Sequence, residues 1–471
     1  MKIRTKIVAT IGPASGEAQT IRRLAEAGCD VFRINLSHGT PEQLGQYLAN
    51  IRQVERELGE PMAAMADLCG PKIRVGPIDG GSVLLPEGHR LRIEREPVVG
   101  TVERISTTLR ELVDALKPGQ GILLDDGKLR LSVQEVSGDA AVCRVERGGV
   151  LASGKGVNLP HTELALSALT EKDRHDVRWI AERGLDYVAM SFVRSAADVQ
   201  ELRGLLGEAS CGASVIAKIE KPEALDRIGD VLEAADGVMV ARGDLGVEMD
   251  LPAVPVAQKR IAQLAHQAGK PCIIATQMLE TMTTSPTPTR AEVSDVANAV
   301  LDHADAVMLS GETAVGKYPV QAVAMMNQIV RAIQEYHDQT AVSLSLPTSA
   351  NRTMQAIAGA VREVLAVEQI AAVAVFTLTG ATAALLAKAR LRCPILAISP
   401  DLPAVRRLCL YYGVDAFRAD APPHTRHVLD IAGRFALQRK LARRGEKIVV
   451  ISGRPIGTPG KTNTLVVHTV A

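Results

Sequence analysis

The sequence predicts an α/β protein: a closed (β/α)8 TIM barrel, a small β-barrel lid domain inserted into it, and an α/β domain toward the C-terminus. Three features predict it. Short aliphatic runs, each followed by an amphipathic stretch of helical period, recur eight times between residues 6 and 311; such alternation implies parallel pairing, and eight strands close a barrel. The beat breaks once, from residue 69 to about 168, where Gly, β-branched residues and turn signals crowd together. From about residue 345 the alternation restarts.

In chain order the barrel runs are KIVATI (6–11), VFRINL (31–36), AAMADL (63–68), YVAMSF (187–192), VIAKIE (215–220), GVMVAR (237–242), CIIATQ (272–277) and AVMLSG (306–311). The helical stretches between them include TIRRLAEAG (20–28), PEQLGQYLANIRQVERELG (41–59), HDVRWIAERG (175–184) and VAQKRIAQLAHQAG (256–269), each closing on Gly as helices often do. The break carries the turn signals PIDGG, PEGH, LDDGK and VSGD, so it reads as an all-β module placed after the third strand and over the barrel mouth. The last part offers AAVAVF (371–376), PILAIS (394–399), VDAF (414–417), KIVVIS (447–452) and TLVVHTV (464–470), after a polar linker near Leu346 to Asn351. The expected limits are 1–68 with 169–340 for the barrel, 69–168 for the lid and 350–471 for the last domain.

Composition supports this and removes several function classes. Hydrophobic residues make up 46% and aromatics only 3%, so Val, Ile, Leu, Ala and Met must fill the core, which suits α/β layers. Lys+Arg 54 against Asp+Glu 53 leaves a formal charge of +1, so no global field draws the chain to nucleic acid or anionic lipid. Seven scattered cysteines with no C-x-x-C pair argue against a disulfide framework or zinc site, and a reducing cytoplasm fits. The apolar run near the start is too short for a signal segment, and no apolar stretch long enough for a membrane span follows, so no membrane partner is expected.

In barrels of this kind the active face lies at the C-terminal strand ends, and polar residues are dense there. The second run carries Arg33, Asn35 and Ser37 at period two, on one side of a strand. The third ends at Asp67, the fifth at Lys218 and Glu220, the sixth at Arg242, Gly243 and Asp244, the seventh at Thr276, the eighth at Ser310 and Glu312. Buried Lys and Glu require a partner charge or a metal. Glu220 and Asp244, from adjacent strands, would offer two carboxylates to a small hard cation such as Mg²⁺, with water and phosphate oxygens completing the shell. Arg33 and Lys218 converging on that ion are what a phosphoryl group in flight needs. The Gly-rich turn at Arg242 to Gly246 would lend N–H groups to a substrate carboxylate. Plainer readings suffice elsewhere: His38 as a turn residue, Trp179 packing against the barrel, Thr289 as a helix cap ahead of Glu292.

These residues lie in longer motifs: TKIVATIGPAS at the start, FRINLSHG (32–39), GPKIR (70–74), KGVNLP (155–160), AKIE (217–220), VARGDLGVE (240–248), ATQMLE (275–280), PTRAEVSDVANAV (288–300) and LSGETA (309–314). On them the chain closely resembles the pyruvate kinase family over nearly its whole length. The resemblance implies glycolytic transfer of the phosphoryl group of phosphoenolpyruvate to ADP, giving ATP and enolpyruvate, which is protonated to pyruvate. By position it makes Lys218 the transition-state stabiliser, Arg33 a phosphate contact, Glu220 and Asp244 the Mg²⁺ ligands, and Gly243, Asp244 and Thr276 the carboxylate site. Thr276, Ser310 and Glu312 would border the proton route. Asn35, Ser37, His38, Arg74 and lid residue Lys155 would face the nucleotide, with a second Mg²⁺ arriving on ADP. The lid would close to exclude water.

The resemblance also implies a monovalent-ion pocket at Asn35, Ser37, Asp67 and the carbonyl of Leu68. Potassium-dependent members carry Thr, Lys, Glu and Thr at positions matching 68, 69, 72 and 75, where this chain has Leu68, Cys69, Lys72 and Val75. The expectation is that the Lys72 ammonium stands in for the ion and K⁺ is not required. In the last domain, TLTGATA (377–383) and SGRPIGTPGKTNT (452–464) are similar to the family's effector loops. Thr377, Thr379, Gly380 and Thr382 would grip a phosphate of a sugar-phosphate or nucleotide effector, with Arg454 and Lys461 as loop cations. The family implies a homotetramer. Two other classes stay open at this point: a Mg²⁺-dependent C–C lyase using the same Glu and Asp, and a silent sugar-phosphate sensor.

Overall fold

A computed structural model describes residues 3–160, 162, 167–340, 344–347, 351–420, 425–454 and 461–471. Residues 348–350 of the expected linker lie outside the described residues.

Eight parallel strands close a barrel: Lys6–Ile11, Val31–Asn35, Ala63–Asp67, Tyr187–Met190, Ser214–Ile219, Gly237–Ala241, Cys272–Ala275 and Ala306–Leu309. The first pairs with both the second and the last, Val8 opposite Val31 and Met308, which completes the circle. All eight aliphatic runs are strands, and seven of the strands stop one or two residues before the run ends. Among the surplus residues are the polar Ser191, Glu220, Arg242, Thr276 and Ser310.

Two-residue periodicity sorts each strand between two packing layers. Ile7, Phe32, Ala64, Val188, Val215, Val238 and Ile274 face outward, into the core shared with the helices. Val8, Val31, Met65, Tyr187, Ile216, Met239, Ile273 and Met308 face inward and fill the lower barrel, which Cys409 and Leu410 of the C-terminal domain cap from below. One step further up, the same inward rows carry Thr10, Arg33, Asp67, Ser191 and Lys218, all buried. The barrel therefore changes from apolar to ionic within a single turn of side chains.

The helices carry the predicted signals. Thr289 and Glu292 form a reciprocal capping box on Arg290–Leu301, and Thr170 with Asp173 does the same for Glu171–Arg183. Trp179 packs against the barrel core, with the Arg183 guanidinium 4.7 Å over its ring.

The insertion is mainly β, with one short α-helix at Leu112–Ala115, and its strands do not close into a barrel. It forms a six-stranded sheet, in the order Val157–Asn158, Gly121–Leu124, Leu129–Ser137, Ala140–Arg147, Arg90–Glu94, Arg104–Ser106, and a separate pair of Gly149–Ala152 with Ser82–Leu85. Its core of Leu85, Leu91, Ile93, Leu131, Val145 and Leu151 is its own.

The last domain has a five-stranded sheet in the order Val414–Arg418, Ile395–Ser399, Ile370–Phe376, Lys447–Gly453, Thr462–Thr469. Four strands are parallel, but the fifth returns antiparallel beside Lys447–Gly453, a hairpin that the aliphatic run alone does not disclose. Buried ion pairs fix this domain to the barrel, among them Lys388 to Asp305 at 2.5 Å and Arg406 to Glu55. Among the described residues no helix is long and apolar enough to cross a membrane. All seven cysteines are free.

Candidate active site at the barrel mouth

The site is built on Asp67, 1% exposed at the end of the third strand. Its Oδ2 accepts from Arg33 Nε at 2.6 Å and its Oδ1 from Lys218 Nζ at 3.2 Å. Burial alone would raise this carboxyl, but the two cations beside it prevail and hold it below the usual carboxylate range. Lys218 also donates to Ser191 Oγ at 2.7 Å and pairs with Glu220 at 2.9 Å. Burial works against its charge, and Asp67 and Glu220 outweigh that, so the ammonium is held charged well above the ordinary lysine range. Arg33 is braced a second time by Nη1 on Thr10 Oγ1, 2.9 Å, while its Nη2 makes no hydrogen bond among the described residues. Two cations are thus fixed from below in a nearly dry layer.

Glu220 lies one residue past its strand and accepts from the Phe192 amide at 2.8 Å. Burial, and then the charge of Asp244, push its carboxyl up, against the pull of Lys218. Two carboxylates that feel each other in a buried site with one shared ammonium are under-compensated, which is the electrostatic signature a divalent cation relieves. Among the described residues no group of three or more His, Cys, Asp or Glu is gathered as a metal site, so Glu220 and Asp244 would be the only carboxylate ligands. That fits Mg²⁺, which keeps most of its shell for water and phosphate.

Asp244 sits in the first turn of the short helix Arg242–Glu248, not in an open Gly-rich turn. The Gly243 N–H is already used, donating to Thr276 Oγ1 at 2.7 Å, and Thr276 Oγ1 donates to the Ala275 carbonyl at 2.6 Å. Thr276 has φ +67°, a strained conformation for a β-branched residue. Arg242 helps to hold it there, with Nη2 on the Thr276 carbonyl at 2.8 Å and an ion pair to Asp295.

Three expectations need correction. The second strand ends at Asn35, so Ser37 is a turn residue whose amide donates to Asn35 Oδ1 at 3.1 Å and does not continue the Arg33 face. Glu312 is fully buried, and its carboxylate accepts from the Leu279 and Ser310 amides at 3.0 and 2.7 Å. It brackets the loops of Thr276 and Ser310, with both oxygens occupied by backbone amides. Lys72 does not occupy the monovalent-ion pocket: its exposed side chain lines a cleft of about 340 Å³ between insertion and barrel, while the Leu68 carbonyl accepts from Ser191 Oγ at 2.8 Å. A flexible stem on a loop follows solvent and the Asp126 side of the cleft rather than a pocket already satisfied.

His38 is exposed in the turn after Asn35. Arg74 and Lys155 belong to the insertion, tied to the Gly154 carbonyl at 2.9 Å and to Asp125 at 2.9 Å, with no hydrogen bond or ion pair to Asn35, Ser37 or His38 among the described residues. In the last domain Thr377 Oγ1 accepts from the Gly380 amide, and Gly380, φ +89°, caps Ala381–Lys388. Thr379 Oγ1 lies 3.5 Å from the Ala381 amide, and Thr382 and Thr462 share a hydrogen bond at 2.6 Å that joins the helix Ala381–Lys388 to the strand Thr462–Thr469. Arg454 and Lys461 are exposed, and residues 455–460 between them lie outside the described residues.

Thr10, Ser191 and Phe192 escaped the sequence reading. The signal was present: a lone hydroxyl near the end of KIVATI and another in YVAMSF, in register with Arg33 and Lys218. Phe192 has no such signal, because its contribution is a backbone amide at φ +56°.

The family model described as "Pyruvate kinase, barrel domain" matches residues 2–323, and "Pyruvate kinase, alpha/beta domain" matches residues 355–468. Among similar proteins, the pyruvate kinase of Methylorubrum extorquens is 43% identical over 98% of this chain and 96% of its own length. That of Geobacillus stearothermophilus is 43% identical over 100% of this chain and 81% of its own, and that of Mycobacterium tuberculosis 40% identical over 100% and 99%.

Proposed function

This chain belongs to the pyruvate kinase family and transfers the phosphoryl group of phosphoenolpyruvate to ADP, giving pyruvate and ATP; from that premise we propose how its residues divide the work. The observation that carries the assignment is the ionic layer: Arg33 and Lys218 pinned on one buried carboxylate, Asp67, beside the Glu220 and Asp244 pair.

A phosphoryl group in transit spreads its charge over three oxygens, so the chain must supply fixed positive charge and a fixed position. Arg33 takes the phosphate of the bound substrate through its unengaged Nη2. Lys218 stays with the group through transfer, its ammonium held by Asp67, Glu220 and Ser191 so that no reorganisation is needed at that moment. Glu220 and Asp244 would hold Mg²⁺, which would supply neutralising positive charge to the reacting oxygens. The substrate carboxylate replaces the internal pair of Gly243 N–H and Thr276 Oγ1. Thr276 and Ser310 then border the enol carbon during protonation, and Glu312 positions both by holding the backbone around them.

Asn35, Ser37 and His38 receive the nucleotide from the barrel side, and Arg74 and Lys155 face it from the insertion, Lys155 exchanging Asp125 for phosphate. A second Mg²⁺ comes with ADP. Turnover without K⁺ is proposed on a different ground from the one expected: Asp67 is already neutralised by Arg33 and Lys218, and positions 68, 69, 72 and 75 offer no hydroxyl or carboxylate ligand. A phosphorylated effector at Thr377, Thr379, Gly380 and Thr382, with Arg454 and Lys461, and a homotetrameric assembly complete the reading.

Pyruvate formation from phosphoenolpyruvate and ADP, followed in a coupled assay, tests it. Lys218→Met should lower kcat by about 10²-fold or more, since it removes a preorganised charge from the transition state. Equal turnover in the two proteins would sink the role given to Lys218.

A further inference from the structure

Glu248 is 3% exposed at the end of the helix that carries Asp244, one turn further along, and nothing in the transfer chemistry uses it. Its Oε1 accepts two hydrogen bonds. One comes from Lys221 Nζ at 2.7 Å, and Lys221 is the residue after Glu220. The other comes from Asn158 Nδ2 at 2.9 Å, and Asn158 lies on Val157–Asn158, the edge strand of the inserted sheet. One carboxylate oxygen therefore joins three segments: the strand end of Glu220, the helix of Asp244, and the lid. Beside it the lid turn at Gly127, where Asp125 and Asp126 both adopt positive φ, lies near Val247 of the same helix. The cleft of about 340 Å³ enclosed between lid and barrel is lined by Asn158, Lys221, Asp244 and Glu248 together.

We propose that Glu248 is a positioning residue that latches the lid: the Asn158 amide locks onto a carboxylate already anchored by Lys221, so that lid closure and the placement of Glu220 and Asp244 occur as one event. The charges support this. A buried carboxylate with only one ammonium gains from a second donor, and the lid alone brings one, so the closed state is favoured by a charge-assisted bond that the open state lacks. Lys221 holds Glu248 whether the lid is open or closed. Asn158 is the part that comes and goes. The coupling half of the proposal rests on Glu220 and Asp244 being the metal carboxylates.

Asn158→Ala is the direct test, because Asn158 is on the lid edge and its loss leaves the barrel intact. Losing one hydrogen bond to a charged group should lower kcat/KM for phosphoenolpyruvate about tenfold. Amide hydrogen exchange of residues 155–159 in the presence of phosphoenolpyruvate and Mg²⁺ should lose its ligand-induced protection, while the melting temperature of the free enzyme stays unchanged. Glu248→Gln combined with Asn158→Ala should add little to either single deficit. Unchanged protection in Asn158→Ala, or fully additive losses, would overturn the latch. Mn²⁺ binding to the free enzyme separates the premise from the proposal: it should weaken in Glu220→Gln and hold in Asn158→Ala, and no weakening in Glu220→Gln would overturn the coupling to the metal pair.

Discussion

Acidification should loosen the junction of barrel and C-terminal domain in a window set by two histidines. His266, on Val254–Gln267, places Nε2 3.0 Å from the Ser345 carbonyl, and His303 meets His337 edge to face at 5.5 Å. The groups facing them are mostly cationic: Arg390, Lys388 and Arg4 against Asp305 and Asp338. Burial first, and then Arg390, push His266 and His303 down from 6.5 to about 4. The sign follows from proton counting. Between about pH 6.5 and 4 the unfolded chain binds protons that the folded chain refuses, so stability is present above that window and is lost as pH falls through it. At pH 5.5 a shift of this size is worth about 1.4 kcal/mol per histidine, and trimming for partial exposure leaves about 1 kcal/mol each, or about 2 kcal/mol together. Urea denaturation at pH 7.5 and pH 5.5, read for wild type and for His266→Gln with His303→Asn, measures it. Asn is chosen at 303 because that residue has φ +65°. Wild type should lose about 2 kcal/mol more than the double variant between the two pH values. Parallel losses would refute the reasoning, since the remaining carboxylates would then account for all of the acid sensitivity.

Two further outcomes concern the mouth. Ser191→Ala removes the 2.7 Å bond to Lys218 and the 2.8 Å bond to the Leu68 carbonyl, and should lower kcat roughly 10- to 100-fold with KM for phosphoenolpyruvate little changed; an unaltered kcat in the coupled assay would mean that Asp67 and Glu220 suffice to aim the ammonium. Replacing K⁺ by tetramethylammonium at constant ionic strength should leave turnover within about twofold, since the pocket at Asp67 already holds two cations; a collapse of activity restored by K⁺ would show that Arg33 and Lys218 do not do the ion's work.

What the sequence discloses of this protein and what it conceals divide along one physical line. Strand existence is legible because every barrel strand must be aliphatic on both faces, so KIVATI and GVMVAR stand out against polar surroundings. Arg33, Asp67, Lys218 and Glu220 are legible for the converse reason, since a charge inside such a run is expensive unless it has work to do. Three kinds of information are absent from residue type. One is direction: Lys72 has the right chemistry for a cation pocket, but its backbone leads it into the cleft by Asp126. The next is prior occupation, since Glu312 reads as an acid near the enol until its two oxygens are seen on the Leu279 and Ser310 amides. The last is backbone itself, as at Phe192, whose amide holds Glu220 whatever its side chain. Glu248 belongs with the second. Nothing in VARGDLGVE marks it out, and only the fold brings Lys221 and Asn158 to the same oxygen. Side chains that touch the reacting group betray themselves by their cost. Those that set the timing of closure cost nothing until the lid arrives, and for that reason composition and spacing pass over them.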